Sequence, residues 1–177
     1  MNTDSENTKS KTAARPANSM RELRQTVEEI KGSDPVATAF KLWAQLPRRG
    51  RTDTPIATTD DLWVVLKCYA GGGENELHAH PHEDHVFVVM QGKAEFIGPD
   101  GKIAEVERFG GVMIPHGAFY KFCAVGDEPL VMLRVGTTTT QGRDKHHRIH
   151  PDGRYFDPFS GDNKYEEVEY YEDRFFG

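Results

Sequence analysis

The chain has 177 residues, the size of one domain with extensions rather than two full domains. Its net charge of −6 argues against general binding to nucleic acid or to anionic membrane surfaces, which favour basic faces. Hydrophobic residues make up 37%, enough for one packed core, and no apolar run approaches the roughly 18 residues of a membrane-spanning helix.

Met1 to Ser19 is polar and lacks the apolar stretch of a secretory signal, so residues 1–18 are expected to form a flexible tail of a cytoplasmic protein. Residues 19–55 are expected to be a helical extension. Ser19 and Glu22 form a capping-box pattern, Met20, Leu23, Val27 and Ile30 recur at helical spacing, and Gly32 ends the run. Asp34-Pro35 suggests the start of a second short helix carrying Val36, Phe40 and Trp43, ended by Pro47. The basic stretch Arg48, Arg49 and Arg51 is expected to be a solvated loop.

From Asp61 the pattern changes to short strands separated by turns. Leu62 to Ala70 is β-rich, and His85 to Met90 is nearly all apolar after its histidine, as in a strand packed on both faces. Further strands are predicted over Lys93 to Ile97, Ile103 to Arg108, Val112 to Ile114, Phe119 to Ala124 and Leu130 to Val135. Gly98-Pro99-Asp100-Gly101 supplies a turn between them. Strands recurring about every 8–12 residues point to an antiparallel sandwich or barrel over residues 56–138. Residues 139–177 are acidic and carry eight Phe and Tyr side chains, an aromatic content foreign to disordered tails. An irregular extension docked on the barrel or on a second subunit is expected. Cys68 and Cys123 lie far apart in apolar contexts and read as buried thiols.

Four of the eight histidines fall within the segment His78 to His85. Residues two apart in a strand share a face, so His78 and His80 can both aim inward; Pro81 ends that strand and a loop delivers His85 to the next. Three imidazoles could thus meet at one point, a set suited to a divalent transition metal: Fe, Mn, Ni, Zn or Cu. His82 reads as a substitute ligand or a supporting group. His116 is expected on the surface, and His146, His147 and His150 in a solvated basic segment. Glu74 and Glu76 read as turn carboxylates facing water. There is no serine nucleophile elbow, phosphate loop or dinucleotide glycine pattern.

The spacing of this segment resembles the first motif of the cupin superfamily, G-x5-H-x-H-x(3,4)-E-x6-G, through Gly72, His78, His80, His85 and Gly92, with His85 where the family has glutamate. A looser match to the second motif runs from Gly110 through Pro115-His116-Gly117 to Tyr120, which stands at the usual histidine position. The resemblance implies an all-β fold, a cupin-type antiparallel β-barrel or jelly roll with short N-terminal helices, and a metal site of His78, His80, His85 and Tyr120. Tyr120 could be a phenolate ligand, a proton-transfer group, or a barrel-interior tyrosine. By strand parity Phe87, Val89 and Phe122 share the inward face with His85 and Tyr120, and would line a pocket for a small, partly apolar or aromatic substrate. The resemblance further implies a homodimer and a non-heme dioxygenase, iron being the favoured ion. A metal-dependent lyase or isomerase and a non-catalytic ligand-binding barrel remain open alternatives.

Overall fold

A computed structural model describes residues 16–17, 20–31, 37–71, 74–139, 146–156 and 167–177. Helix α1 (Met20–Ile30) forms where the helical spacing predicts it and packs across strand β2 (Arg51–Thr58). Ala17 is buried where it bridges Asp53; residues 1–15 and 18 of the N-terminal tail, Gly32, and the Asp34-Pro35-Val36 start of the second expected helix lie outside the described residues. Residues 37–43 are not helical, and Pro47 sits inside strand β1 (Ala44–Arg49) rather than at a helix end. The second helix is therefore corrected. Among the described residues strand β1 pairs with β12 (Glu169–Phe176), so its conformation is set by a partner far along the chain.

Strands β3 (Leu62–Tyr69), β4 (Glu83–Gln91), β7 (Gly111–Ile114) and β9 (Leu130–Thr138) join β2 in a five-stranded antiparallel sheet of order β2-β3-β9-β4-β7. A second sheet runs β6-β5-β8, from β5 (Lys93–Gly98), β6 (Gly101–Glu107) and β8 (Lys121–Val125). Pro55, which cannot donate to a ladder, is tolerated because β2 is an edge strand and bulges between Pro55 and Ala57. A two-residue pair, β10 (Arg148–Ile149) and β11 (Tyr155–Phe156), lies near the barrel mouth, where Ile149 bridges Ala79.

Side-chain alternation gives the five-stranded sheet two buried faces. Its inner face meets the second sheet through Tyr69, Phe87, Val89, Leu130 and Met132 against Phe96 and Phe122. The outer face packs Val64, Leu66, Cys68 and Val131 against Ala44 and Leu46 of β1 and Phe176 of β12. This explains why β3 is a nearly unbroken apolar run. It also corrects the irregular C-terminal tail, because residues 169–176 form a strand covering the sheet. The all-β fold with a cupin-type jelly-roll arrangement of antiparallel sheets is what the structure shows. Among the described residues no helix is long and apolar enough to cross a membrane.

Gly136 lies between Trp63 of β3 and His85 of β4 in register, and its missing side chain leaves room for the indole. A Cβ there would stand 2.2 Å from Trp63 Nε1. Gly136→Ala is expected to cost about 1–3 kcal/mol through overpacking. A lowered unfolding midpoint together with a shifted tryptophan emission spectrum would check it.

Candidate metal centre

Pro81 and His82 form a tight turn, so β4 begins at Glu83, two residues earlier than the sequence suggests. That start puts Glu83 and His85 on the same inward face of one strand. His78 and Ala79 run alongside as isolated bridges to Tyr120 and Ile149, and the His80 carbonyl accepts from Gly117 N–H. The backbone thereby brings His80, Glu83 and His85 to one point, all three at most 3% exposed, with their ligand atoms within 4.8 Å of one another.

Glu83 is the hub. Its Oε2 accepts from His85 Nε2 at 2.9 Å, and its Oε1 accepts from His146 Nδ1 at 2.6 Å. His80 Nδ1 lies 2.8 Å from Oε2, yet outside hydrogen-bonding geometry, and neither ring nitrogen of His80 has a hydrogen-bond partner. Tyr120 O–H sits 3.2 Å from His85 Nδ1 and fixes the far side of that ring. His78 donates from Nδ1 to the Glu76 carbonyl at 2.7 Å, leaving Nε2 as its acceptor nitrogen, and its ring lies 5.1 Å from that of His80.

Burial would raise the Glu83 carboxyl pKa, but His80, His146 and His85 outweigh it and hold the group well below the usual carboxylate range. Burial keeps His78 and His85 well below the ordinary imidazole range and brings His80 down to about 4. Two neutral imidazoles and one carboxylate are the protonation states a cation requires of its ligands. His80 Nε2, buried with no hydrogen-bond partner among the described residues, fits the same role, since a buried polar atom without a partner costs about 1–3 kcal/mol. His80, Glu83 and His85 would hold the ion. Burial raises the Tyr120 phenol pKa, so it stays protonated as the hydrogen-bond partner of His85.

The centre opens on a cavity of about 160 Å³ that reaches from His80, Glu83 and His146 to α1. Its walls are mixed, with Leu23, Val27, Trp63 and Val65 beside charged groups. Arg51, Lys67, Arg134 and Arg148 line it, whereas Phe87, Val89 and Phe122 are sealed in the packed core between the sheets. The expectation that these three line the pocket is not met at this cavity: parity aims them inward as foreseen, but their side chains pack with Phe96 in the core between the sheets. Arg51 is buried rather than solvated, and His146 and Arg148 belong to the cavity rather than to a solvated basic segment.

Other expectations resolve simply. His116 lies at the surface and binds Asp84 through Nδ1 at 2.9 Å. His82 and Glu74 stand outside the converging group, and Glu76 contributes only its backbone carbonyl. Gly72 and Lys145 lie outside the described residues. Glu83 is a candidate ligand that the sequence reading passed over, although its two-residue spacing from His85 is the same signal that linked His78 to His80.

Residues 65–136 match the cupin domain family, and this part of the chain is similar to it. Solved structures of similar fold include a double-stranded β-helix protein of Klebsiella pneumoniae subsp. pneumoniae, 22% identical with a TM-score of 0.47 over 52% of this chain and 76% of that one. KdgF from Halomonas sp. is 21% identical, with a TM-score of 0.47 over 56% of this chain and 88% of that one. A sugar phosphate isomerase of the cupin superfamily from Silicibacter pomeroyi is 19% identical, with a TM-score of 0.46 over 64% and 82%. No curated protein sequence matches the chain.

The buried histidines make stability depend on pH once metal is stripped. Their folded-state pKa values lie below the unfolded ones, so the unfolded chain gains protons first as the pH falls. The stabilisation is complete above about pH 6.5 and drains as the pH drops towards 4. Thermal unfolding of chelator-treated protein should show a midpoint falling across that window, less steeply in His80→Gln; a flat profile would contradict the buried neutral state.

Proposed function

We propose that the chain is a metal-dependent cupin enzyme, a non-heme oxygenase acting on a small organic substrate. One observation carries the reading: His80, Glu83 and His85 give two imidazoles and one carboxylate beside an open cavity. That donor set, with coordination positions left over, is the one associated with non-heme Fe(II) oxygenases. Iron bound there would supply the one-electron chemistry needed for dioxygen.

The chain's own residues would do the rest. Glu83 contributes the negative charge, and His146 holds its second oxygen, keeping the carboxylate oriented. Tyr120 orients His85 from behind. The Trp63 indole, 4.9 Å from the His146 ring, walls the centre on its β3 side and limits water. Cations on the cavity wall would hold the substrate in place.

A second reading, a lyase or isomerase using Mn, Ni or Zn as a Lewis acid, is favoured by His146. This side chain is one-third exposed at the cavity and in contact with Glu83, where it could pass a proton to a bound substrate.

Metal analysis of untagged protein is expected to give about one transition-metal ion per chain, falling at least about tenfold in Glu83→Ala and His80→Ala. Loss of metal in neither variant would remove this centre from consideration. Oxygen uptake by iron-loaded protein should then appear with catechols, 2-oxo acids or diketones and vanish in Glu83→Ala. Turnover that proceeds equally without oxygen would select the second reading, and saturable binding without product would indicate a non-catalytic barrel.

A further inference from the structure

The second sheet has three strands and the first has five, so the inner face of the larger sheet extends past its cover. Phe87, Val89 and Met132 pack there against Phe96 and Phe122. Trp63 and Val65 of β3 share that face: the register sets Trp63 level with Gly136 and His85, and Val65 level with Arg134 and Phe87. Each is 7% exposed, yet neither belongs to the packed cluster on either side of the sheet. They line the cavity instead.

Helix α1 bounds the same cavity. Leu23 and Val27 stand four residues apart and so share one face of the helix. An apolar stripe of this kind normally disappears into a core. Here Thr26 is buried, whereas Leu23, Val27 and Ile30 are only half-buried, and Leu23 and Val27 line the cavity. Just past the helix, Lys31 pairs with Asp60 and bridges Thr58 of β2, which holds the stripe in place.

Apolar surface beside a cavity favours a carbon framework that covers it, by about fourfold in affinity for each methylene buried. The far end of the cavity is polar, where His80 and Glu83 stand with His146. Charged groups on the same walls, such as the Asp53–Lys67 pair, limit how much apolar ligand the cavity accepts, since their lost water has to be replaced. At about 160 Å³ the cavity is also smaller than sites that enclose drug-sized molecules. A polar head with a short chain is the occupant that these conditions describe.

We propose that Leu23 and Val27 of α1, with Trp63 and Val65 of β3, are specificity-determining residues of the site: they select a substrate with an oxygen-bearing, ion-chelating head and a short aliphatic chain. The head faces His80 and Glu83, and the chain lies between α1 and β3. Placing the head on an ion rests on the enzyme reading above; the apolar wall does not. Phe87, Val89 and Phe122, expected to give the pocket its apolar character, are replaced in that role by residues of α1 and β3.

The test uses the full chain, zinc-loaded and metal-free, titrated by calorimetry with acetohydroxamate, butanohydroxamate, hexanohydroxamate and decanohydroxamate, which share one chelating head. In zinc-loaded protein the affinity should rise about fourfold per added methylene over the first members and level off by decanohydroxamate. Leu23→Gln and Val27→Gln, which keep a good helix former, should cut that rise by about half or more and leave acetohydroxamate binding within about twofold. Gln25→Asn, on the exposed face of α1, should change neither. The chain has two tryptophans, so a Trp43→Phe background isolates Trp63, whose emission should shift with hexanohydroxamate and not with acetohydroxamate. If the glutamine variants lose the helix, Val27→Phe serves instead: by filling the cavity it should exclude the longer members and keep acetohydroxamate. A flat series in the parent protein, or an equal rise in the folded α1 variants, would overturn the inference. Head and chain report separately. Zinc-dependent acetohydroxamate binding with a flat series sinks only the wall, a rising series that is the same with and without zinc sinks only the metal centre, and binding of no member to either form sinks both.

Discussion

An ionised carboxylate buried inside a β-barrel must be met by partners, and the arrangement around Glu83 follows from that constraint. Water cannot solvate it at 2% exposure, so protein groups do. Three imidazoles surround its two oxygens: His85 from the same strand, His80 across the Pro81 turn, and His146 from beyond β9. The last contact explains why a segment that follows the main sheets folds back over the mouth of the barrel, where the Ile149 bridge to Ala79 holds it. With the imidazoles neutral, the cluster carries one negative charge. A cation completes it better than a proton does, because it also takes up the lone pairs that the neutral rings of His80 and His85 offer.

The packed half of the barrel supports this cluster. Tyr120 belongs to the aromatic core with Phe87, Phe96 and Phe122, and its hydroxyl is the one polar contact from that core to His85. A hydroxyl both donates and accepts, so Tyr120 can serve His85 whichever ring nitrogen carries the proton. Core packing therefore sets the position of the ring, and the ring sets one ligand atom. Gly136 does similar work on the opposite side by leaving room for the Trp63 indole, which meets His85 edge to face with 6.5 Å between ring centroids. These contacts hold the ligands on strands rather than on loops, which is what a preorganised centre requires.

Local patterning revealed the strands and the inward pairing of histidines because both depend on the two-residue period alone. His80 and His85 were visible in this way. Glu83 obeys the same period relative to His85, but it escaped notice because the family spacing put His85 itself in the glutamate position. Arg51, Arg134, His146 and Arg148 carried no such signal. Arg51, His146 and Arg148 sit in segments whose local composition is polar or basic, while Arg134 interrupts the apolar run of β9, and only the register of distant strands turns these side chains towards the cavity. The same holds for β1 and β12, each stabilised by a partner over a hundred residues away. Long-range pairing has no local periodicity to betray it.

The cavity beside Glu83 has charged and apolar walls together, and this combination limits what can bind there. Around Glu83 the protein offers imidazoles and one negative charge; further along stand Arg51, Lys67, Arg134 and Arg148 with Asp53, and Leu23, Val27, Trp63 and Val65 supply apolar surface between them. A purely apolar ligand would strip water from the charged groups without replacing their hydrogen bonds. A fully charged one would leave the apolar wall uncovered. A small ligand with a polar end turned to the metal-binding group and a short carbon framework along the apolar wall meets both demands within about 160 Å³, because its polar end then replaces solvent that the fold has already removed from Glu83.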